Sequence, residues 1–277
     1  MKGFLSTLRW NFFHLFQNRY TMLFVAISFL PVLVCIFFQI YPEMAQNTYR
    51  VYPDQQEYEF LQSPEQTTPS GIPYKLKTIK LNQQEIFSIL SYRFLLGFIL
   101  LFGLCCLGSK AIGEEVELGT LQMLFLRPIN RKTIYISKGI ALTLTGLAIA
   151  LLPLLSMFFL IFRSHGDFLI FFQMIFIYIL GILSYSSVFL FIGMFKGGLY
   201  LALLYAFFWE FMIVAVTERA RKFAISHYLE SMVFDLIGQR TGYMSSFWDA
   251  AFVLVCVSFV MVVFGIACFD KKEFSFS

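Results

Sequence analysis

Six long apolar stretches dominate this sequence and limit the folds that are open to it. A helix of about 20 apolar residues crosses the hydrocarbon layer of a membrane, and its backbone groups are satisfied within the helix. The stretches are continuous and lack the alternation of outer-membrane barrel strands. With 58% apolar and only 14% charged residues, the chain is predicted to be an all-α, polytopic membrane protein. The predicted transmembrane helices are 21–41, 87–109, 136–162, 168–194, 198–217 and 250–268.

Residues 1–20 are predicted to form an interfacial amphipathic helix and not a signal peptide. Polar residues interrupt every candidate apolar core, and no small-residue cleavage site follows. At 100° per residue one stripe is apolar and the opposite side is polar, although Trp10 and Phe13 lie off the stripe. The apolar stripe is Phe4, Leu5, Leu8, Phe12, Leu15 and Phe16, and the polar side is Lys2, Arg9, Asn11, His14, Gln17 and Asn18.

The remaining residues, 21–277, are predicted to form one membrane domain with two external elaborations. The polar loop 42–86 contains five prolines, and the alternation in 74–81 predicts one short strand. Segment 218–249 has apolar residues at helical spacing but is too short and too charged to cross a membrane. It either dips into the outer leaflet as a re-entrant segment or packs on the bundle as a surface helix.

The distribution of charge predicts an inner (cytoplasmic) membrane protein with both termini in the cytoplasm. The positive-inside rule gives most weight to short connectors and span ends, and Lys196 and the pair Lys271–Lys272 occupy such positions. The cluster formed by Arg219, Arg221 and Lys222 would then lie outside, against the general bias.

Between the second and third apolar stretches lies a charged connector, 110–135, that a purely lipid-spanning chain does not need. Glu114 and Glu117 are one helical turn apart and suit the positive first turn of a short helix after Gly113. Glu115 adds a third carboxylate. We predict that a cytoplasmic partner docks here, and the alternative is a connector with no partner.

The second half of this connector is predicted to fold as another short helix. Gly119 ends the first helix, Thr120 caps a second one over 121–127, and Pro128 ends it. Asn130 then caps the helix that becomes the third span. Arg127, Arg131 and Lys132 are expected at the level of the lipid headgroups.

These residues resemble the permease subunits of type-2 ABC exporters. That family has Glu-x-Gly-Thr-Leu-x-x-Leu in its first cytoplasmic loop, then Pro, a small polar residue and Arg, and a Lys in the next span. The matching positions here are Glu117, Gly119, Thr120, Leu121, Leu124, Pro128, Asn130, Arg131 and Lys138. The basic ending 269–274, the amino-terminal interfacial helix, the six spans and the membrane-dipping segment before the last span also match the family pattern.

The resemblance implies a coupling role for the connector. In that family the loop is a coupling helix that rests in a groove of a separate ABC ATPase, so Glu114, Glu117, Thr120 and Leu121 are expected to contact that subunit. Two ATPase copies, a second permease copy forming a homodimer and an extracytoplasmic accessory protein are the implied partners, besides the lipid bilayer. ATP would bind to the ATPase, so the chain itself is expected to be no enzyme and to carry no cofactor.

Two charges are predicted within the membrane. Arg93 lies in the second span and Glu210 in the fifth, each about 10 Å from the external end at 1.5 Å per residue. Intramembrane charges are costly unless they are paired or hydrated, so an ion pair or a shared watery vestibule is expected. The resemblance implies that both lie near an outer gate of the translocation path. Alternatively, Arg93 snorkels outward and Glu210 is a structural hydrogen-bonding group.

Several classes of function are not supported by motifs. The chain has no phosphate-binding loop, no His-Glu-x-x-His and no Gly-x-Ser-x-Gly. Its five cysteines lie in or beside predicted spans as buried filler, and neither a metal site nor nucleic-acid binding is predicted. The alternatives are a secondary transporter or a structural membrane protein without an ATPase. The 36 phenylalanines fit either a lipid-like cargo or lipid-facing filler.

Overall fold

The fold is that of a helical bundle with a small sheet. The computed structural model describes residues 2–16, 18–40, 46–51, 66–67, 73–80, 83–117, 130–162, 168–213, 218–238 and 244–271. The helices are α1 (Lys2–Phe16), α2 (Arg19–Ser28), α3 (Leu30–Ile40), α4 (Gln83–Leu90), α5 (Leu101–Glu117), α6 (Arg131–Ile161), α7 (Phe168–Ile192), α8 (Gly198–Leu204), α9 (Glu218–Arg221), α10 (Ile225–Ile237) and α11 (Phe247–Lys271). Two wider-turn π-helices, π1 (Ser91–Leu100) and π2 (Tyr205–Ile213), continue α4 into α5 and extend α8.

Within the described residues, five helical stretches are long and apolar enough to cross a membrane, as in a multi-pass membrane protein. They are Arg19–Ile36, Ile86–Val116, Arg131–Ile161, Phe168–Ile192 and Phe247–Asp270. The predicted fifth span, 198–217, corresponds to the shorter apolar helix Gly198–Met212. Its last four predicted residues lie outside the described part of the chain.

The second and fourth of these five stretches form the centre of the bundle. The most apolar windows of Ile86–Val116 and Phe168–Ile192 are 72% and 67% buried, against 28% for the first stretch and 22% for the last. Glycines allow these two central stretches to approach each other closely. A Cβ on Gly193, just after α7, would lie 2.7 Å from the backbone oxygen of Ser109 on α5. Any larger residue there would push the two central helices apart.

The sheet lies in the predicted external loop. The strands β1 (Gln46–Val51), β2 (Gln66–Thr67) and β3 (Pro73–Lys80) form an antiparallel sheet in the order β1-β3-β2. Gln46 pairs with Lys80, and Gln66 pairs with Tyr74. The strand predicted at 74–81 is therefore confirmed. The all-α prediction did not include the other two strands, β1 and β2, because their sequences show no clear alternation of apolar and polar residues.

Helix α1 packs along α6 through a face that coincides only in part with the predicted apolar stripe. Thr7 and Asn11 are buried with Leu15, whereas Leu5 of the predicted apolar stripe is 58% exposed. The assignment of Asn11 to a solvent-facing side was therefore wrong. Its side-chain amide donates to the hydroxyl of Ser137 on α6 over 3.0 Å. A hydrogen-bonding partner on a neighbouring helix makes a polar buried face favourable, and hydrophobic periodicity does not detect this.

The second span continues without a break into the predicted connector. Helix α5 runs through Gly113 to Glu117, so the prediction of a separate short helix beginning after Gly113 was wrong. Glycine weakens a helix interior by only about 1 kcal/mol, and packing can outweigh that cost. Glu114, Glu115 and Glu117 therefore lie at the carboxyl end of a long helix and not at the amino end of a short one.

Segment 218–249 contains α9, α10 and the start of α11. Helix α10 packs against α7, α11 and α4, and it buries Ile225, His227, Leu229 and Met232. It ends at Gly238, whose φ of +76° is a left-handed conformation that glycine adopts at little cost.

Candidate functional site

Two clusters of charged residues lie at opposite ends of the bundle. The Lys138 end is where α5 ends, α6 begins and α11 ends. The Glu210 end is where π1, π2 and α10 meet. The described residues of the connector lie at the first end, and Arg93 and Glu210 lie at the second.

A buried ion pair joins consecutive spans at the Lys138 end. The Nζ atom of Lys138 lies 2.7 Å from Oε1 of Glu115 and also donates to the backbone oxygen of Ala111. The side chains of Lys138 and Glu115 are only 5% and 16% exposed. The pair therefore connects the end of α5 to the first turns of α6.

This pairing answers an electrostatic problem created by the continuous helix. Carboxylates in the last turn of a helix meet the negative end of its macrodipole, which is unfavourable. Lys138 compensates Glu115, and Lys110 lies 3.9 Å from Glu114 one turn earlier. The Lys110 ammonium also lies 3.7 Å from the ring centre of Tyr20 on α2, a cation–π contact that connects a further helix to this end.

A small polar cavity lies beside the ion pair. Its volume is about 30 Å³, enough for one or two water molecules. Asn11, His14 and Asn18 of the amino-terminal segment line it together with Lys110, Glu114, Glu115 and Lys138. Oε2 of Glu115 is buried with no hydrogen-bond partner among the described residues. The cavity thus brings the amino-terminal segment together with the helices on either side of the connector, α5 and α6.

The start of α6 is fixed by a cap and by contacts to α11. The side chain of Asn130 accepts from the backbone N–H of Lys132 over 3.2 Å, which confirms the predicted cap. Lys132 lies 3.5 Å from Asp270 near the end of α11, and Nη1 of Arg131 donates to the Asp270 backbone oxygen at 3.5 Å. The carboxyl-terminal helix is therefore tied to the same end.

Most of the predicted coupling residues lie outside the described residues. These are Gly119, Thr120, Leu121, Leu124, Arg127 and Pro128. Glu117 is the last residue of α5. The structure brings together Glu114, Glu115 and Lys138, and it places Arg131 beside the end of α11.

At the other end of the bundle, the side chain of Glu210 on π2 caps the amino terminus of α10. Its carboxylate accepts from the backbone N–H groups of Ile225 and Ser226 over 3.2 and 3.0 Å, the first residues of α10. Ala224, at the cap position itself, offers no side-chain acceptor. A carboxylate at a helix amino terminus is favoured by the macrodipole and by the unpaired N–H groups.

Two tyrosines complete the shell around this carboxylate. Tyr205 donates to Glu210 over 2.9 Å, and Tyr185 of α7 donates over 3.5 Å. Glu210 is only 4% exposed. With four donors its charge is satisfied without a basic side chain.

Arg93 pairs with a residue that the sequence analysis did not single out. Its guanidinium lies 3.9 Å from Glu230 on α10, whereas Glu210 holds the amino end of the same helix. Arg93 and Glu210 nevertheless line one pocket of about 320 Å³ between π1, π2 and α10. The hydroxyl of Tyr92 donates to the Ser226 backbone oxygen over 3.0 Å, so π1 is also tied to α10.

Both residues lie on wider-turn helices. Arg93 belongs to π1 and Glu210 to π2. A π-helical turn leaves backbone groups poorly paired, and such turns are frequent at functional sites. In π1, the backbone oxygen of Ser91 accepts from the hydroxyl of Tyr178 over 2.8 Å, which supplies an external partner.

His227 on α10 is a titratable group at this end and lies outside the candidate spans. Burial lowers the pKa of His227, and the nearby cations Arg221 and Lys222 lower it further. Its Nε2 is buried without a partner among the described residues. The neutral imidazole is therefore the favoured form at neutral pH.

Residues missed by sequence reasoning include Glu230, Tyr185 and Tyr205. Neither tyrosine carries a sequence signal, because each acts through a contact that depends on the packing of several helices. Lys138, in contrast, carries a sequence signal, because a lysine inside an apolar stretch requires a partner. Among the described residues no three His, Cys, Asp or Glu side chains cluster as a metal site would require.

Comparison with protein families covers most of the chain. Residues 55–275 match a family that is described as a protein of unknown function, DUF2705. The chain belongs to the DUF2705 family. The search of curated proteins gave no match. The part that matches the DUF2705 family includes both charged clusters apart from the amino-terminal helix, so the family pattern spans the connector and the pocket with Arg93 and Glu210.

Proposed function

We propose that this chain is the membrane-spanning permease subunit of an ATP-driven exporter, with ATP bound and hydrolysed by a separate ABC ATPase. The single observation that carries the proposal is the buried Lys138–Glu115 pair. It joins the helices on either side of the connector, so a partner that displaces the connector would move both spans together. A solvent-exposed loop without such a partner needs no buried ion pair to fix its two ends.

Further contacts at the Lys138 end support the same role. Helix α1 is attached to α6 through Asn11 and Ser137, and α11 is attached through Asp270. A force applied at the connector would therefore reach four helices and not one. In the proposed arrangement this end and both termini face the cytoplasm, where the ATPase is.

The proposed path runs toward the Glu210 end. In this proposal the segment Gly198–Ile213 belongs to the fifth of six spans. Two copies of the chain, each with its ATPase, would enclose the path, and Arg93 and Glu210 would lie near its outer gate. Exposed rings on α8 and π2, such as Tyr200 and Phe207 at 79% and 60% exposure, offer an apolar face for the second copy.

The test is co-purification with an ABC ATPase expressed beside the full-length chain. Glu117→Ala and a three-residue insertion after Gly119 should abolish co-purification or uncouple ATP hydrolysis from transport in vesicles. The matched control is the same insertion after Gly71, in the external loop. Unchanged coupling in both connector variants would refute the proposal. Transport driven by an ion gradient without any ATPase would instead identify a secondary carrier.

A further inference from the structure

We propose that the outer face of α1 binds the anionic headgroups of the bilayer phospholipids. The outer face is the side of α1 that points away from α6, and its members are exposed residues, namely Leu5, Arg9, Trp10 and Phe13. The inference goes beyond the proposed function and does not rest on it, because this face would bind lipid with or without an ATPase on the connector.

The position of α1 along the chain brings it to the level of the lipid headgroups. Helix α1 ends at Phe16, and a stretch that is long and apolar enough to cross a membrane begins at Arg19. The link between them spans at most about 11 Å, so α1 stays close to the end of that span. Asn11 also donates to Ser137, in the second turn of α6. Both connections keep α1 beside the ends of spans, where headgroups lie.

The attachment of α1 to the bundle leaves its outer face exposed. The attached side consists of buried residues one turn apart, namely Thr7, Asn11 and Leu15. Arg9 and Phe13 are each two positions from Asn11, so at about 100° per residue each projects about 160° away from it. Phe13 is 50% exposed and Trp10 is 53% exposed. The polar contact that holds α1 on α6 therefore turns two rings and an arginine outward.

The amino-terminal segment carries an excess of positive charge. The first 42 residues contain Lys2, Arg9 and Arg19 and no aspartate or glutamate. Arg9 and Arg19 are exposed, and neither forms an ion pair within the part of the chain that the structure describes. A bilayer surface with anionic lipids attracts basic residues that lie close to it. The charge of this segment is therefore complementary to such a surface.

The described carboxylates at the Lys138 end already have lysine partners. The pairs are Glu114 with Lys110, Glu115 with Lys138, and Asp270 with Lys132. Glu114 and Glu115 also line the cavity on the bundle side of α1, away from its outer face. Each pair is neutral, so among the described residues no carboxylate competes with a lipid phosphate for the two arginines.

The rings of the outer face favour a bilayer over a soluble acidic partner. Trp10 is stacked on His14 with ring centres 5.3 Å apart, and the Arg9 guanidinium lies 5.8 Å from the ring centre of Phe13. Tryptophan is enriched where headgroups meet acyl chains, and arginine binds phosphate oxygens through its planar fork. Rings and a guanidinium on one face thus match a surface in which phosphates lie next to apolar chains.

The experiment measures which lipids surround Trp10 in the full-length protein. Trp209→Phe and Trp248→Phe leave Trp10 as the single tryptophan, and this background is reconstituted into phosphatidylcholine nanodiscs. A small share of the lipid carries a quenching doxyl group, either on phosphatidylglycerol or, at the same mole fraction, on phosphatidylcholine. The labelled phosphatidylglycerol should quench Trp10 more strongly at low salt. The difference should shrink at high salt, because salt screens the attraction.

Three variants in this background test the role of Arg9. Arg9→Gln should lower the enrichment of phosphatidylglycerol around Trp10 about fivefold, because it removes a cation next to the surface. Arg9→Lys keeps the charge and should retain most of the enrichment. Lys222→Gln is the matched control, since it removes an exposed cation at the Glu210 end and should leave the enrichment unchanged.

Three results would overturn the lipid surface. Equal quenching by the two labelled lipids would show that the outer face does not select anionic headgroups. Equal enrichment in Arg9→Gln and in the background would show that Arg9 does not contribute. Absence of quenching by either lipid would place the outer face in water and assign it to an acidic protein partner. None of these results depends on co-purification of an ATPase, so the proposed function is tested separately.

Discussion

The two ends of the bundle satisfy a buried carboxylate in different ways. At the Lys138 end, Glu115 lies at the carboxyl end of a helix, where the macrodipole opposes its charge, and a lysine of the next span compensates it. At the Glu210 end, Glu210 meets the amino end of α10, where the macrodipole favours its charge, and backbone N–H groups compensate it. The first arrangement depends on one opposite charge. The second distributes the compensation over four neutral donors.

This difference predicts that removing the compensating group at one end and the carboxylate at the other will cost different amounts of stability. Loss of Lys138 would leave a carboxylate buried without its cation, next to an unfavourable helix end. Loss of Glu210 would leave neutral N–H and hydroxyl groups without an acceptor, which is a smaller cost. The Lys138 end therefore joins consecutive spans strongly, and the Glu210 end holds a short helix more weakly.

The largest expected effect is that of Lys138→Met. Because it leaves Glu115 buried and unpaired, it should lower the free energy of unfolding by about 3 kcal/mol. Denaturant unfolding of the detergent-solubilised protein measures this. The double variant Lys138→Met with Glu115→Gln should recover all but about 1 kcal/mol, since no uncompensated charge remains.

The control for this prediction is Lys132→Met at the same end. Its ion pair with Asp270 is about half exposed on both sides, so the change should cost no more than about 0.5 kcal/mol. Equal losses for Lys138→Met and Lys132→Met would show that the buried pair does not hold this end together.

The next effect is that of Glu210→Ala. It removes the acceptor for two N–H groups of α10 and should cost about 2 kcal/mol, mainly as local opening. Hydrogen exchange at the amides of Ile225 and Ser226 should accelerate strongly, and amides in the middle of α7 should stay protected. Glu210→Gln keeps one acceptor oxygen and should lose about half as much. Unchanged hydrogen exchange in Glu210→Ala would show that Glu210 does not stabilise the amino end of α10.

A smaller effect is expected for Asn11→Ala, which tests the attachment of α1. It removes one buried hydrogen bond to Ser137 and should cost about 1 kcal/mol. Arg9→Gln, an exposed position on the same helix, should change stability by less than about 0.5 kcal/mol. If both variants behave alike, α1 is not held on α6 by this hydrogen bond.

The smallest effect is a pH dependence confined to the Glu210 end. Because the pKa of His227 is lowered in the folded protein from its ordinary value of 6.5, the unfolded state binds the proton more readily. The stability that this histidine contributes is present above pH 6.5 and is lost as the pH falls through the folded-state pKa. The amides of α10 should therefore exchange faster as the pH is lowered from 7.5 to 5.5, after correction for the intrinsic exchange rate.

His227→Gln should remove this pH dependence, and His14→Gln, at the other end, should leave it intact. A pH response that survives in His227→Gln would assign the effect to another group.

The sequence predicted the helical class and most of the span positions, because long apolar runs have few folds open to them. It also predicted the Asn130 cap and a strand at 74–81, observed at Pro73–Lys80, because both depend on local chemistry. Asn11 was misassigned because its partner is more than a hundred residues away. Gly113 was taken for a helix boundary because local propensity favours one, whereas the packing of α5 keeps the helix intact.

The sequence identified the charged residues of the Glu210 end but not the residues with which they interact. Arg93 and Glu210 stood out as charges within apolar stretches, and the structure places them in one pocket. Their partners depend on where α10 lies. Glu230 of that helix reaches Arg93, and its first two amides donate to Glu210.

What the sequence alone determined is therefore which segments are apolar enough to be spans and which charges within them require compensation. Hydrophobicity and the cost of a buried charge are properties of each residue, so they can be read along the chain. The tertiary structure decided which group compensates each charge, because that depends on distances between residues far apart in sequence. Glu115 is satisfied by a lysine of the next span and Glu210 by the end of another helix, and only the packed bundle makes either contact possible.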